Sequence, residues 1–302
     1  MQSQMTKIIA GNSSKKLAQR LSVSLNIAQV EAFIERFEDE ELRVQLADGV
    51  HEEDVVIVQS TSKPANDHLM ELLLLVDAAK RSGGGRVIAL VPYFGYSRQD
   101  RPSYAFGPIS ARLVANLMEA GGVDQLITLD LHSQQAEGFF QIGVQNIETS
   151  TLFADLLKGQ PSLMVVSPDI GGMIRARKLS SLLGVELAVI NKIRTTHNTC
   201  QIGEIIGNVA GKNCVLVDDI VDTGGTVCKA AALLMQHGAL SVEAVATHAV
   251  LSGRAIANIE ASVIKKITVT NTIEQTQLPA KFAVADISVL LGKNLKRMIK
   301  GR

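Results

Sequence analysis

Short, continuously apolar runs alternate along the whole chain with stretches whose apolar residues recur at helical spacing. VVIVQS (55–60), RVIALVPYF (86–94) and QLITLDL (125–131) lack the polar alternation of half-exposed strands and read as strands buried on both faces. Between them, DHLMELLLLVDAAKRS (67–82) and ISARLVANLMEAG (109–121) return an apolar residue every three or four positions, as amphipathic helices do. The rhythm then repeats. LMVVSPD (163–169), VELAVINK (185–192), NCVLVDD (213–219), SVEAVATHAV (241–250) and KKITVTN (265–271) read as strands, with GGMIRARKLSSLLG (171–184) and VCKAAALLMQHGA (227–239) as helices. Such alternation predicts an α/β fold of two similar domains, each a mostly parallel sheet flanked by helices. A polar, glycine- and proline-containing stretch, KGQPS, occupies 158–162, and the boundary is placed near 150, giving domains of 1–150 and 151–302. The basic tail KNLKRMIKGR (293–302) reads as the solvated face of a last helix, free to pack back on the first domain.

Composition narrows the function classes. Thirty basic and thirty acidic side chains balance, which removes any bulk electrostatic case for nucleic acid or an anionic membrane. LMELLLLVDAA (69–79) is the most apolar stretch and is too short to cross a bilayer. The start, MQSQMTKIIAGNSSKK, has no long apolar core, so no signal peptide is expected and the reading is cytoplasmic. Cys200, Cys214 and Cys228 are odd in number and form no CxxC pair, which favours reduced thiols over a metal or redox centre.

The segment richest in chemistry is VLVDDIVDTGGT (215–226). An apolar strand ends in Asp218 and Asp219, a short loop with Gly224 and Gly225 follows, and a helix opens at Thr226. Ligands sit at the carboxyl ends of strands in parallel α/β sheets. Adjacent carboxylates accept hydrogen bonds from vicinal ribose hydroxyls. Small residues let backbone amides approach a phosphate, while Thr223 and Thr226 add hydroxyl donors and the helix start adds its dipole. Asp222 fits if its carboxylate orders the loop or points away from the phosphate. An acidic turn that merely caps a helix explains one or two of these residues, not the full run. GNVAGKN (207–213) lacks the spacing and the Ser/Thr of a Walker A loop.

This run resembles the phosphoribosyl-pyrophosphate-binding signature of type I phosphoribosyltransferases and ribose-phosphate pyrophosphokinases. QSTSKPANDHLMELLLLVDAAKR (59–81), PYFGYSRQDR (92–101), PISARLVANL (108–117), DLHSQQAEGFF (130–140), SPDIGGMIRAR (167–177), THAVLSG (247–253) and TNTI (270–273) resemble the second family. The resemblance runs from about Phe37 to the last strands and implies two phosphoribosyltransferase-like domains, ATP and ribose 5-phosphate as substrates, and Mg²⁺. It further implies that FEDEEL (37–42) holds adenine and reaches a neighbouring subunit. As a strand, that segment would put Phe37, Asp39 and Glu41 on one face, with Glu40 between them. Arg98, Gln99 and Asp100 follow a strand, and the guanidinium suits polyphosphate oxygens. By the resemblance, His132 and Asp169 ligate magnesium, and Lys192 and Arg194 of NKIRTTHNTC (191–200) face the reacting phosphates. Asp218, Asp219, Asp222, Thr223, Gly224, Gly225 and Thr226 would hold the ribose 5-phosphate, together with Arg194. It implies a homodimer assembled into a hexamer.

The chain departs from the family pattern at several points. Glu40 replaces a usual glycine, Ile193 a usual arginine, PSYAFGP (102–108) the usual basic and Arg-Glu-Pro residues, and Gly49-Val50-His51 a Ser-x-Arg. Many of these losses fall where the family binds phosphate or ADP as regulators, so weak dependence on inorganic phosphate is expected. The chief rival, a non-catalytic regulatory relative, would be expected to lose Lys192, Arg194, His132 or Asp169. A phosphoribosyltransferase has no reason to carry the RQDR segment.

Overall fold

Strands without polar alternation must be covered on both faces, and the chain supplies that cover with helices. The computed structural model describes residues 6–191 and 203–300. They fall into two units: residues up to Ile147 with Thr272–Glu274 and the segment from Asp286, and Glu148–Asn271 with Gln275–Ala285.

In the first unit the elements are β1 (Thr6–Ala10), α1 (Lys15–Leu25), β2 (Gln29–Val30), β3 (Ala32–Arg36), β4 (Leu42–Leu46), β5 (Asp54–Val58), α2 (Ala65–Arg81), β6 (Val87–Val91), α3 (Ser110–Ala120), β7 (Gln125–Leu129) and β8 (Gly143–Ile147). Six strands pair in the order β2-β1-β5-β6-β7-β8, every pair parallel. Alternate residues split between the faces. Val55 and Ile57 join Leu72, Leu75 and Val76 of α2 and Val114 and Met118 of α3 in one core. Ile8, Val56 and Ile88 are equally buried and face the other way, where α1 packs on β1 and β5. β3 and β4 form a separate antiparallel hairpin.

The second unit runs α4 (Ser150–Leu157), β9 (Leu163–Ser167), α5 (Met173–Leu183), β10 (Leu187–Asn191), β11 (Glu204–Ile206), β12 (Asn213–Val221), α6 (Gly225–Gln236), β13 (Ser241–Ala249), α7 (Ala255–Glu260), β14 (Ile267–Thr270) and β15 (Phe282–Ala285). The chain then returns to the first unit as α8 (Ser288–Lys300), which packs on α1. Seven strands pair in the order β11-β10-β9-β12-β13-β14-β15, and only β10 with β11 is antiparallel. Along β12, Cys214 and Leu216 face Val227, Ala230 and Leu234 of α6. Val215 and Val217 face Phe153 of α4 and Ala176 and Leu179 of α5. Each fully buried aliphatic side chain contributes about 1.5–3 kcal/mol relative to exposure, so Leu216→Ala alone removes a substantial share of the unit's stability. The α/β fold with mostly parallel sheets, expected from the apolar rhythm, is the fold found.

The 37–41 segment, whose one-sided placement of Phe37, Asp39 and Glu41 depends on a strand, is a turn. FEDEEL does not extend as a strand: β3 stops at Arg36, β4 starts at Leu42, and residues 37–41 form the turn between them. Phe37 N–H donates to Glu41 O at 2.9 Å, Glu40 N–H to Phe37 O at 3.0 Å, and Glu41 N–H to the Asp39 carboxylate at 3.1 Å. The chain reverses at Glu40, whose φ is +71°.

Candidate active site

Strand order fixes where a ligand is held in the second unit. From β9 the chain moves outward to β10 and β11, then returns to the other side of β9 as β12. The loops leaving β9 and β12 therefore diverge in opposite directions, and a crevice opens between them at the carboxyl end of the sheet. The β9 loop carries Asp169, and the end of β12 carries Asp218 and Asp219. Asp169, half-buried, accepts the Gly172 N–H at 3.0 Å through Oδ1, while its carbonyl accepts the Ser167 hydroxyl at 2.6 Å.

Asp218 and Asp219 alternate across the strand, yet both reach one cation. Arg175 of α5 lies 3.3 Å from Asp219 Oδ1 and 3.9 Å from Asp218 Oδ1. Asp218 Oδ1 also accepts the Asp219 N–H at 2.9 Å. One guanidinium thus lies against both carboxylates. Burial, then the neighbouring Asp219, push the Asp218 carboxyl up to about 8, against the lowering effect of Arg175. The sequence does not single out Arg175, one of three basic residues within 175–178; only its pairing across 44 positions marks it.

The turn after β12 brings the remaining predicted residues together. Asp222 is half-buried, Thr223 and Thr226 are exposed, and α6 begins at Gly225. Gly224 has φ +76°, and a Cβ there would lie 3.2 Å from Ile259 Cγ1 and 3.3 Å from Ala255 O. The left-handed backbone conformation favours glycine, and the packing leaves a Cβ little room.

In the first unit the predicted residues lie on loops. Phe37, Asp39, Glu40 and Glu41 are all exposed on the hairpin turn. Arg98 and Gln99 are exposed after β6, with Asp100 half-buried. Gln99 is built into the start of α3: its side-chain oxygen accepts the Ser110 hydroxyl at 2.7 Å, and its carbonyl accepts the Ala111 N–H at 3.1 Å. His132 is exposed just past β7, two residues beyond Asp130, whose φ is +35°. Lys192 and Arg194 fall outside the described residues.

The donor set suits a hard cation. Among the described residues no three His, Cys, Asp or Glu side chains gather into a closed metal cluster. The crevice in the second unit offers carboxylate oxygens, which suit Mg²⁺, an ion that takes few protein ligands and completes its shell with water and phosphate oxygens.

Doubly wound sheets with acidic groups and a small-residue turn at the switch point place the protein among the α/β proteins that hold ligands at the carboxyl end of a parallel sheet. Residues 6–122 match the family model described as the N-terminal domain of ribose phosphate pyrophosphokinase, and residues 189–302 match the phosphoribosyl synthetase-associated domain. The chain is 45% identical over 297 residues to a ribose-phosphate pyrophosphokinase of Agrobacterium fabrum, covering 96% of each chain. With the enzyme of the same name from Ralstonia nicotianae it shares 44% identity over 307 residues, covering 100% of this chain and 97% of that one. The crystal structure of phosphoribosylpyrophosphate synthetase from Mycobacterium smegmatis superposes with a TM-score of 0.93 at 34% identity, covering 99% of this chain and 100% of that one. The chain belongs to the ribose-phosphate pyrophosphokinase family and is a transferase.

Proposed function

We propose that this chain transfers the β,γ-diphosphoryl group of ATP to the anomeric hydroxyl of D-ribose 5-phosphate, giving 5-phospho-α-D-ribose 1-diphosphate and AMP. The observation that carries the reading is the 221–226 turn: a loop with Gly224 in the left-handed region leading into α6, just beyond a carboxylate pair at the sheet's switch point. The second unit is the ribose 5-phosphate side. The 5-phosphate is received by Asp222 to Thr226, and the ribose hydroxyls lie at Asp218 and Asp219. The first unit is the ATP side, where Phe37 stacks on adenine, Asp39, Glu40 and Glu41 surround its amine, and Arg98, Gln99, Asp100 and His132 meet the polyphosphate.

The anomeric oxygen attacks the β-phosphorus in line. The bond from that phosphorus to the oxygen bridging it to the α-phosphate breaks, AMP leaves with that oxygen, and the hydroxyl proton passes to solvent. The migrating group carries charge on its equatorial oxygens, so positioning and cations dominate the catalysis. Lys192 and Arg194 are assigned that screening role from the family motif. By the family motif, His132 and Asp169 would each serve as a Mg²⁺ ligand, and the metal would supply neutralisation of polyphosphate charge.

The product is the activated ribose needed for nucleotide, histidine and NAD synthesis, and the enzyme is read as cytoplasmic. No helix among the described residues is long and apolar enough to cross a membrane. Self-association, as a dimer and then a hexamer, is supported by the exposed apolar residues of the first unit, Phe33, Phe37, Leu113 and Leu117. Dependence on inorganic phosphate is weak in this reading.

The test is AMP formation from Mg-ATP with and without ribose 5-phosphate. Strictly pentose-dependent AMP is expected. AMP appearing at the same rate without the sugar phosphate, or none at all, would overturn the assignment.

A further inference from the structure

The 221–226 turn is shaped from behind by a segment that the reaction itself does not use. Three successive carbonyls of the turn accept hydrogen bonds from the stretch after β13. Leu251 N–H donates to Val221 O at 3.0 Å, Ser252 N–H to Asp222 O at 3.0 Å, and the Asn258 side-chain amide to Thr223 O at 3.0 Å. The first two are main-chain bonds that any sequence with this fold supplies. The third belongs to one side chain.

Peptide planarity gives that bond its meaning. In a trans peptide the C=O and N–H point in opposite directions. Pinning the Thr223 carbonyl toward α7 therefore turns the Gly224 amide hydrogen to the other side of the turn. Pinning the Asp222 carbonyl does the same for Thr223. Two successive donors facing one way, ahead of a helix start, are what an anion needs. Without the Asn258 bond the Thr223–Gly224 peptide is free to rotate, because glycine tolerates both orientations. Rotation would present a carbonyl oxygen where a donor is required.

Asn258 is itself held in place. Its N–H donates to Arg254 O at 2.9 Å, and its carbonyl accepts the Cys228 thiol of α6 at 3.6 Å. The Lys281 ammonium caps the carboxyl end of α7, donating to Ile259 O at 3.2 Å, Glu260 O at 2.7 Å and Ser262 O at 2.9 Å. Ile259 of the same helix packs beneath Gly224.

We propose that Asn258 is a positioning residue for the 5-phosphate of ribose 5-phosphate, acting through the orientation of the Thr223–Gly224 peptide. The inference rests on the ribose 5-phosphate reading of this turn.

The experiment compares the full-length wild type with Asn258→Ala, Asn258→Asp and Asn258→Gln, measuring kcat, both KM values, thermal stability, and ribose 5-phosphate binding by titration calorimetry. Asn258→Ala is expected to raise the ribose 5-phosphate KM about tenfold, with the ATP KM within about twofold and Tm nearly unchanged. Asn258→Asp keeps the size but cannot donate, and its charge opposes the phosphate, so its loss is larger. Asn258→Gln restores a carboxamide donor and recovers part of the affinity. Ribose 5-phosphate affinity within twofold of wild type in both Ala and Asp variants overturns the proposal. So does a parallel rise of both KM values with falling Tm and no recovery by Gln. If the wild type binds ribose 5-phosphate but turns nothing over, only the reaction assignment fails, and the binding series still decides the role of Asn258. A wild type that does not bind it overturns both.

Discussion

Asp218 concentrates the electrostatic conflict of the second unit. Its carboxyl is half-buried beside the buried Asp219, and Arg175 serves both. A carboxylate whose proton is bound more tightly in the folded state than in the unfolded one costs stability as pH rises. Well below the ordinary value of 3.8 both states hold the proton and there is no cost; between 3.8 and the raised value of about 8 the unfolded chain ionises first, so the cost grows, and above that it levels off. Asp218→Asn keeps the oxygen that accepts the Asp219 N–H and removes the ionisation. In metal-free protein the variant is expected to raise Tm by roughly 3 °C at pH 8 and to shift it far less at pH 4, by differential scanning calorimetry. A gain independent of pH would contradict this account. The conflict has a chemical use: a site that strains against its own negative charge gains by accepting a cation or hydroxyl donors.

At the scale of elements, the hairpin lets the proposed adenine site be tested apart from stability. Phe37 is 51% exposed at the tip of β3–β4, so its ring contributes little to the core. Base–aromatic stacking is worth about 1–3 kcal/mol. Phe37→Ala should therefore raise the ATP KM about tenfold while the urea midpoint moves by less than about 0.5 kcal/mol equivalent. An unchanged ATP KM would remove Phe37 from the adenine site. The hairpin also marks the limit of what the sequence made legible. Buried strands such as β9 and β12 are readable because continuous apolar runs have few other uses. The turn at 37–41 was not, because Glu40 adopts its positive φ without the glycine that ordinarily signals one. Asp218 to Thr226 were legible because strand, acid pair and glycines are contiguous. Arg175 and Asn258 were not, because their partners lie 44 and 35 positions away and only the sheet's strand order brings them together.

Across the whole molecule, two units of one design use their switch points differently. In the first unit the chain leaves β1 for β2 and returns on the other side as β5, so its crevice lies between β1 and β5. There the protein fills its own site. The Glu71 carboxylate accepts the Asn12 N–H at 2.6 Å, the Asn12 side-chain amide at 2.9 Å and the Gln59 amide at 2.8 Å, and Gln59 in turn accepts the Ser13 N–H at 3.1 Å. Gly11 has no side chain to obstruct Gln59. An internal carboxylate thus sits at the start of the helical turn that leads into α1, where an external anion would otherwise bind. Two segments in which the family pattern carries arginine lack it here. Residues 102–106 carry no basic group and expose Tyr104 and Phe106, while at 49–51 Val50 is buried and only His51 presents a polar side chain. One histidine and two aromatic rings do not replace the bidentate charge-assisted bonds of arginine to phosphate. Activity in phosphate-free buffer is therefore expected to lie within about twofold of that at saturating inorganic phosphate, and ADP should inhibit only in competition with ATP. A steep, sigmoidal phosphate requirement in steady-state kinetics would show that an anion site persists, and would direct the search to cations beyond these two segments.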